Sequence, residues 1–131
     1  MKILFVTHDL SYADHISIAY LSAIAKQAGH YTYFSTLTKE RFCNHDLLTS
    51  IAEIKPDIIA YSVNILGFQK AVELNKEAKE IHSFISILGG PQATFFPETF
   101  PASGMDAYCI GEGEYAFRDF LSAVENKQPF N

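Results

Sequence analysis

Five short apolar runs constrain what this chain can fold into more than any other feature. They are "KILFVT" (2–7), "YTYFST" (31–36), "IIAYSV" (58–63), "FISIL" (84–88) and "DAYCI" (106–110). None shows the strict apolar–polar alternation of a strand with one wet face, so each reads as a strand covered on both sides. Helical spacing fills the intervals. In "HISIAYLSAIAKQAGH" the stripe is Ile16, Ala19, Tyr20, Ala23 and Ile24, with Gly29 as the stop. "HDLLTSIAEIK" (45–55) ends at Lys55-Pro56-Asp57. "FQKAVELNKEAKEIH" (68–82) buries Phe68, Ala71, Leu74, Ala78 and Ile81, and "EGEYAFRDFLSAVEN" buries Phe117, Phe120, Leu121 and Val124. "PETFPASG" holds at most one helical turn, cut by Pro101.

Strand followed by helix, five times over, predicts a three-layer α/β/α fold. Right-handed crossovers and one change of direction give a five-stranded parallel sheet in the flavodoxin-like order 2-1-3-4-5. At 131 residues, 48% of them hydrophobic, the chain has material for one core, and residues 1–131 are expected to form one domain.

The composition argues against several function classes. The net charge is −5 without a basic run, which argues against nucleic acid and anionic membranes as partners. No segment approaches the ~20 apolar residues of a membrane span. Cys43 and Cys109 form no CxxC pair, so a reducing, cytoplasmic setting is expected and both read as packing thiols. GxxxxGK[ST], GxGxxG after the first strand and GxSxG are all missing. The acidic pair and lysine of a receiver domain are missing too, and "THDLSYAD" is no flavin-phosphate loop.

In such a sheet a ligand rests beyond the carboxyl ends of the strands, near the switch between strands 1 and 3. Those ends carry Thr7, His8, Asp9, Leu10 and Ser11; Ser62, Val63, Asn64 and Gly67; Gly89, Gly90, Pro91 and Gln92; and Gly111, Glu112 and Gly113. Small, polar and glycine residues thus collect on one rim, a floor for something large and flat. Plainer readings stand beside this one. The glycines serve as turn residues, Glu112 and Glu114 complement a helix start, and His8 and His15 are rim histidines.

Four segments in order resemble the N-terminal cobalamin (vitamin B12)-binding domain of B12-binding radical SAM proteins: "ISIAYLSAIAKQAGH", "KPDIIAYSV", "ILGGPQATFFPE" and "DAYCIGEGEYAFRDFL". The resemblance covers nearly the whole chain. It implies that the rim holds cobalamin, that Gly89-Gly90 clears space for its nucleotide tail, and that Ser62 hydrogen-bonds that tail. Cobalamin-dependent methyltransferases and mutases share DxHxxG, then SxL, then GG. Here Asn64 replaces the Leu, and with Asp9 aligned, Ser11 falls on the histidine and Asp14 on the glycine. His15 stands at the wrong spacing to replace that histidine. The resemblance therefore implies base-off cobalamin with no histidine on cobalt and no protein metal ligand.

The iron–sulfur motif CxxxCxxC is absent from these residues, so no catalytic residue is assigned. The resemblance implies a longer parent whose radical SAM domain, acting in cis, binds a 4Fe-4S cluster and S-adenosylmethionine for methyl transfer or ring formation. The alternative is a degenerate relative that binds no cobalamin and serves as a docking or substrate-recognition module.

Overall fold

The computed structural model describes residues 1–8, 12–37 and 47–130, with the backbone alone for 12–15. The expected sheet is present. Strands β1 (Lys2–Thr7), β2 (Tyr31–Thr36), β3 (Ile58–Ser62), β4 (Ile85–Gly89) and β5 (Ala107–Tyr108) are all parallel, in the order 2-1-3-4-5. Helices α1 (Tyr12–Gln27) and α5 (Glu114–Glu125) pack together. Helices α2 (Leu47–Ile54), α3 (Ile65–Ile81) and the short α4 (Gly90–Phe95) form the other layer.

Two cores result, one per sheet face. Leu4, Val6, Ile59, Tyr61, Val63 and Leu88 meet α2, α3 and α4 on one side. Ile3, Phe5, Ile58, Ala60 and Ile87 meet α1 and α5 on the other. In β1, β3 and β4, alternating side chains buried on both faces explain the unbroken apolar runs. The edge strand β2, expected to be covered too, instead leaves Tyr31, Tyr33 and Phe34 exposed, because it has a neighbour on one side only.

Several local expectations are corrected. The buried stripe of α1 is Ile18 and Ala25, flanked by the half-buried Leu21 and Ser22, whereas Ile16 and Tyr20 are 63% and 61% exposed. This helix is apolar or small nearly all round, so two stripes had helical spacing, and the sheet takes the one carrying Ile18. Helix α3 starts at Ile65, ahead of the expected 68, because Asn64 caps it: its Oδ1 accepts from the N–H groups of Leu66 (3.0 Å) and Gly67 (3.3 Å). Within α3, Ile81 is exposed and Asn75 is buried instead, its Nδ2 donating to the Gly104 carbonyl at 3.0 Å. Strand β5 is only two residues long. Residues 90–95, given no element in the sequence reading, form α4 with Pro91 in its first turn, where no N–H is needed. A 3-10 turn, Pro97–Ala102, follows and contains Pro101.

Other expectations hold. Gly29 ends α1 with φ +86°, and in the stripe of α5 Phe117, Phe120 and Leu121 are buried and Val124 half-buried. No helix among the described residues is long and apolar enough to cross a membrane.

The start of β5 is fastened by a polar cluster. Asp106 Oδ2 accepts from Lys79 Nζ, from the Ser86 N–H and from Ser86 Oγ, each at 2.8 Å. Desolvation alone would raise this carboxyl's pKa; the bonds from Lys79 and Ser86 outweigh it and hold the pKa below the ordinary 3.8. A lowered folded-state pKa adds stability that is fully present above the unfolded value and is lost as pH falls through the folded one. Unfolding free energy from urea titrations is therefore expected to fall as pH drops below 3.8. Asp106→Asn should flatten that part of the curve, and an unchanged slope would refute the role given to this carboxylate.

Candidate functional site

Parallel register places small residues in one patch. Thr7, Ser62 and Gly89 are neighbours across β1, β3 and β4, and Phe5, Ala60, Ile87 and Ala107 form the next row inward on the same face. Over β3 and β4, the small Ala60, Ser62 and Gly89 leave a gap that α1 and α5 roof but do not fill. The result is a cavity of about 200 Å³. Ser17 and Leu21 of α1, Glu114 and Phe117 of α5, and Cys109 complete its walls. Gly90, Pro91, Gly111, Glu112 and Gly113 frame its mouth at the carboxyl edge of the sheet.

The mouth is held by close backbone packing. Gly90 has φ +79°, and a Cβ there would lie 2.9 Å from Ser62 Oγ and 3.0 Å from the Val63 nitrogen. Thr94 Oγ1 donates to the Gly90 carbonyl (3.1 Å) and accepts from the Gly111 N–H (3.0 Å), tying α4 to the loop after β5. Burial, reinforced by the Glu114 carboxylate, pushes the Cys109 thiol above its usual pKa, so this wall stays neutral.

Seven of the expected residues line the cavity: Ser62, Gly89, Gly90, Pro91, Gly111, Glu112 and Gly113. The others lie elsewhere. Thr7 is buried in register with Ser62. Val63 and Gln92 are 2% exposed, Val63 in the opposite core and Gln92 with its Nε2 donating to Thr99 Oγ1 at 3.1 Å. Asn64 caps α3, and Gly67 sits in that helix's first turn, where a Cβ would lie 2.7 Å from the Cβ of His8. The His8 Nδ1 is buried and has no hydrogen-bond partner among the described residues. Asp9, Leu10, Ser11 and Cys43 lie outside the described residues, as do the side chains of Asp14 and His15. No cluster of metal-ligating side chains occurs among the described residues. The slot thus sits over β3 and β4, one strand away from the expected switch point.

Residues that sequence reasoning missed are Ser17, Leu21, Ala60, Ile87, Cys109 and Phe117, which line the cavity, and Thr94, which ties its mouth. Each reads locally as core or surface, and only register and helix docking bring them to one place. A larger cleft of about 620 Å³ runs along the free edge of β5, lined by residues such as Tyr108, Ala116, Phe120 and Phe130. It touches the end of the edge strand β5 alone and has no glycine in its walls, whereas the smaller slot opens at the carboxyl ends of the central β3 and β4, so the smaller slot is the better ligand site.

The family described as the B12 binding domain matches residues 4–121. This chain belongs to that family. The B12-binding domain also resembles solved structures. OxsB, a cobalamin-dependent S-adenosylmethionine radical enzyme solved in its apo form, superposes with a TM-score of 0.74 at 20% identity, covering 98% of this chain. This chain spans only 19% of that enzyme's length. A flavodoxin from the domain Archaea superposes with a TM-score of 0.57 at 11% identity, covering 97% of this chain and 98% of its own. At these identities the likeness shows the shared fold. No protein in the curated comparison matches the chain in sequence.

Proposed function

We propose that this B12-binding domain holds base-off cobalamin with its nucleotide tail in the slot over β3 and β4, as one part of a radical SAM enzyme. The observation that carries the reading is the slot itself: a narrow cavity opening at the carboxyl edge beside Ser62 and the extended backbone of Gly89. The residues fit the group. Gly89 leaves the entrance free of a side chain, Ser62 Oγ stands at the mouth to hydrogen-bond the tail, and Gly111 and Gly113, on either side of Glu112, offer backbone in place of bulk. Ile65, Leu66 and Ile110, exposed by 65%, 72% and 53%, give that edge an apolar surface suited to the face of a corrin ring. Phe95 and Phe96 are exposed and leave the slot unplugged.

The absence of a histidine from the expected DxHxxG position supports a lower face without a protein ligand. When bound, the cofactor supplies the cobalt chemistry of methyl transfer or ring formation. The chain's own part is to bind the tail, orient the ring and shield one face from water. A radical SAM domain in cis would bring the 4Fe-4S cluster and S-adenosylmethionine; the length of OxsB beyond the matched domain and the sequence resemblance support that arrangement.

The test is direct. Hydroxocobalamin mixed with the purified chain at high micromolar concentration is expected to co-elute on gel filtration with its visible spectrum. Paramagnetic resonance of the Co(II) form should lack nitrogen splitting from an axial base. An eluate without corrin colour would favour the docking-module alternative, and clear nitrogen splitting would refute the ligand-free lower face.

A further inference from the structure

The slot is graded from mouth to floor, and each wall element contributes to the gradient. Strands run toward the mouth and the helices run away from it, so a residue's place along its element sets its depth. On β3 the mouth residue is Ser62 and the floor residue Ala60; on β4 they are Gly89 and Ile87. On α1 Ser17 lies at the mouth and Leu21 one turn deeper, and on α5 Glu114 precedes Phe117 in the same way. After β5, Gly111 and Glu112 stand at the mouth and Cys109 below them. The oxygen-bearing side chains among the lining residues, Ser17, Ser62, Glu112 and Glu114, all belong to the mouth. The floor is hydrocarbon and one neutral thiol, and the strand backbone beneath it is engaged in the sheet.

The geometry points to a preference among cobamides set by the base at the end of the nucleotide tail: dimethylbenzimidazole over a purine. This rests on the reading that the slot receives the tail. Both bases are flat and bicyclic, so size does not separate them. Polarity does. Each base carries one imidazole nitrogen that is off cobalt in the base-off form, a polar group common to both; beyond it, dimethylbenzimidazole turns two methyl groups and a benzene edge to its surroundings. Adenine turns an exocyclic amine and ring nitrogens, which leave water on entering and find no oxygen or nitrogen side chain on the floor. A buried polar group without a partner is costly, whereas methyl groups against Ala60, Ile87, Leu21 and Phe117 are stabilised by burial. The polar mouth suits the ribose and phosphate that follow the base, which explains why the gradient runs in this direction.

The experiment uses the whole chain and three corrinoids: cobalamin, a cobamide with adenine in place of dimethylbenzimidazole, and cobinamide, which has no nucleotide tail. Dissociation constants come from equilibrium dialysis read by corrin absorbance. Cobalamin is expected to bind tightest, with the adenine-tailed cobamide weaker by roughly tenfold or more and cobinamide also weaker than cobalamin. Equal affinity for the two tailed cobamides, with both well above cobinamide, would overturn the preference while leaving the tail slot standing. Failure of all three to bind, or cobinamide binding as well as cobalamin, would overturn the tail-slot reading and the preference with it.

Discussion

Gly89→Leu is expected to weaken cobalamin binding by about a hundredfold or more while leaving the folded domain nearly as stable as before. The two halves of that expectation have separate causes. Gly89 is extended, with φ −135° and ψ −168°, a conformation open to any residue. A Cβ built on it meets nothing nearer than the Tyr61 carbonyl at 3.8 Å, an ordinary contact. Strand alternation aims that side chain at the slot, because Ile87 two residues earlier lines it as well. A leucine would therefore spread its four-carbon side chain into a cavity of about 200 Å³ and exclude a flat ligand. Equilibrium dialysis against cobalamin, with urea denaturation of the same sample, reads both halves. Unchanged affinity in a folded Gly89→Leu chain would remove the slot from the binding account. It would also favour the docking-module alternative, which has no use for an open slot.

How much of this was legible beforehand depends on what each residue depends on. The central strands were legible because burial on both faces writes an unbroken apolar run, as in Ile58 to Tyr61. The end of α1 was legible because Gly29 adopts a left-handed conformation that glycine favours. The face of α1 was not, because Ile16, Ala19, Tyr20 and Ala23 are as apolar and as regularly spaced as Ile18, Leu21 and Ala25. The early start of α3 could have been found: Asn64 followed by Ile65-Leu66 is a capping residue before an apolar stretch. Within the site, Ser62 and Gly89-Gly90 stood out by composition and motif. Ala60, Ile87, Leu21 and Phe117 did not, since a residue that floors a cavity reads like one that fills a core. The difference lies in cross-strand register and helix docking, which link positions 21, 60, 87 and 117.

The neighbouring glycine behaves in the opposite way, although the two are adjacent in one motif. Gly90→Val is expected to destabilise the domain by about 3 kcal/mol. Its φ of +79° is hostile to a β-branched residue. Its Cβ would also press on Ser62 Oγ at 2.9 Å, the Val63 nitrogen at 3.0 Å and the Val63 carbonyl at 3.2 Å. The serine hydroxyl can turn aside, but the Val63 backbone is held: its N–H donates to the Gly89 carbonyl and its carbonyl accepts from the Gln92 N–H at 2.9 Å. Relief requires α4 to move, and with it the Thr94 hydroxyl that joins the Gly90 carbonyl to the Gly111 N–H. Loss of cobalamin in this variant would therefore follow from a displaced mouth as much as from a filled one. That is why Gly90 cannot separate a cobalamin site from a docking module, whereas Gly89 can. The two variants form a matched pair in urea denaturation, with a large shift of the midpoint for Gly90→Val and little for Gly89→Leu. Equal midpoints would show that the packing of Gly90 against Val63 is not what holds the mouth in place.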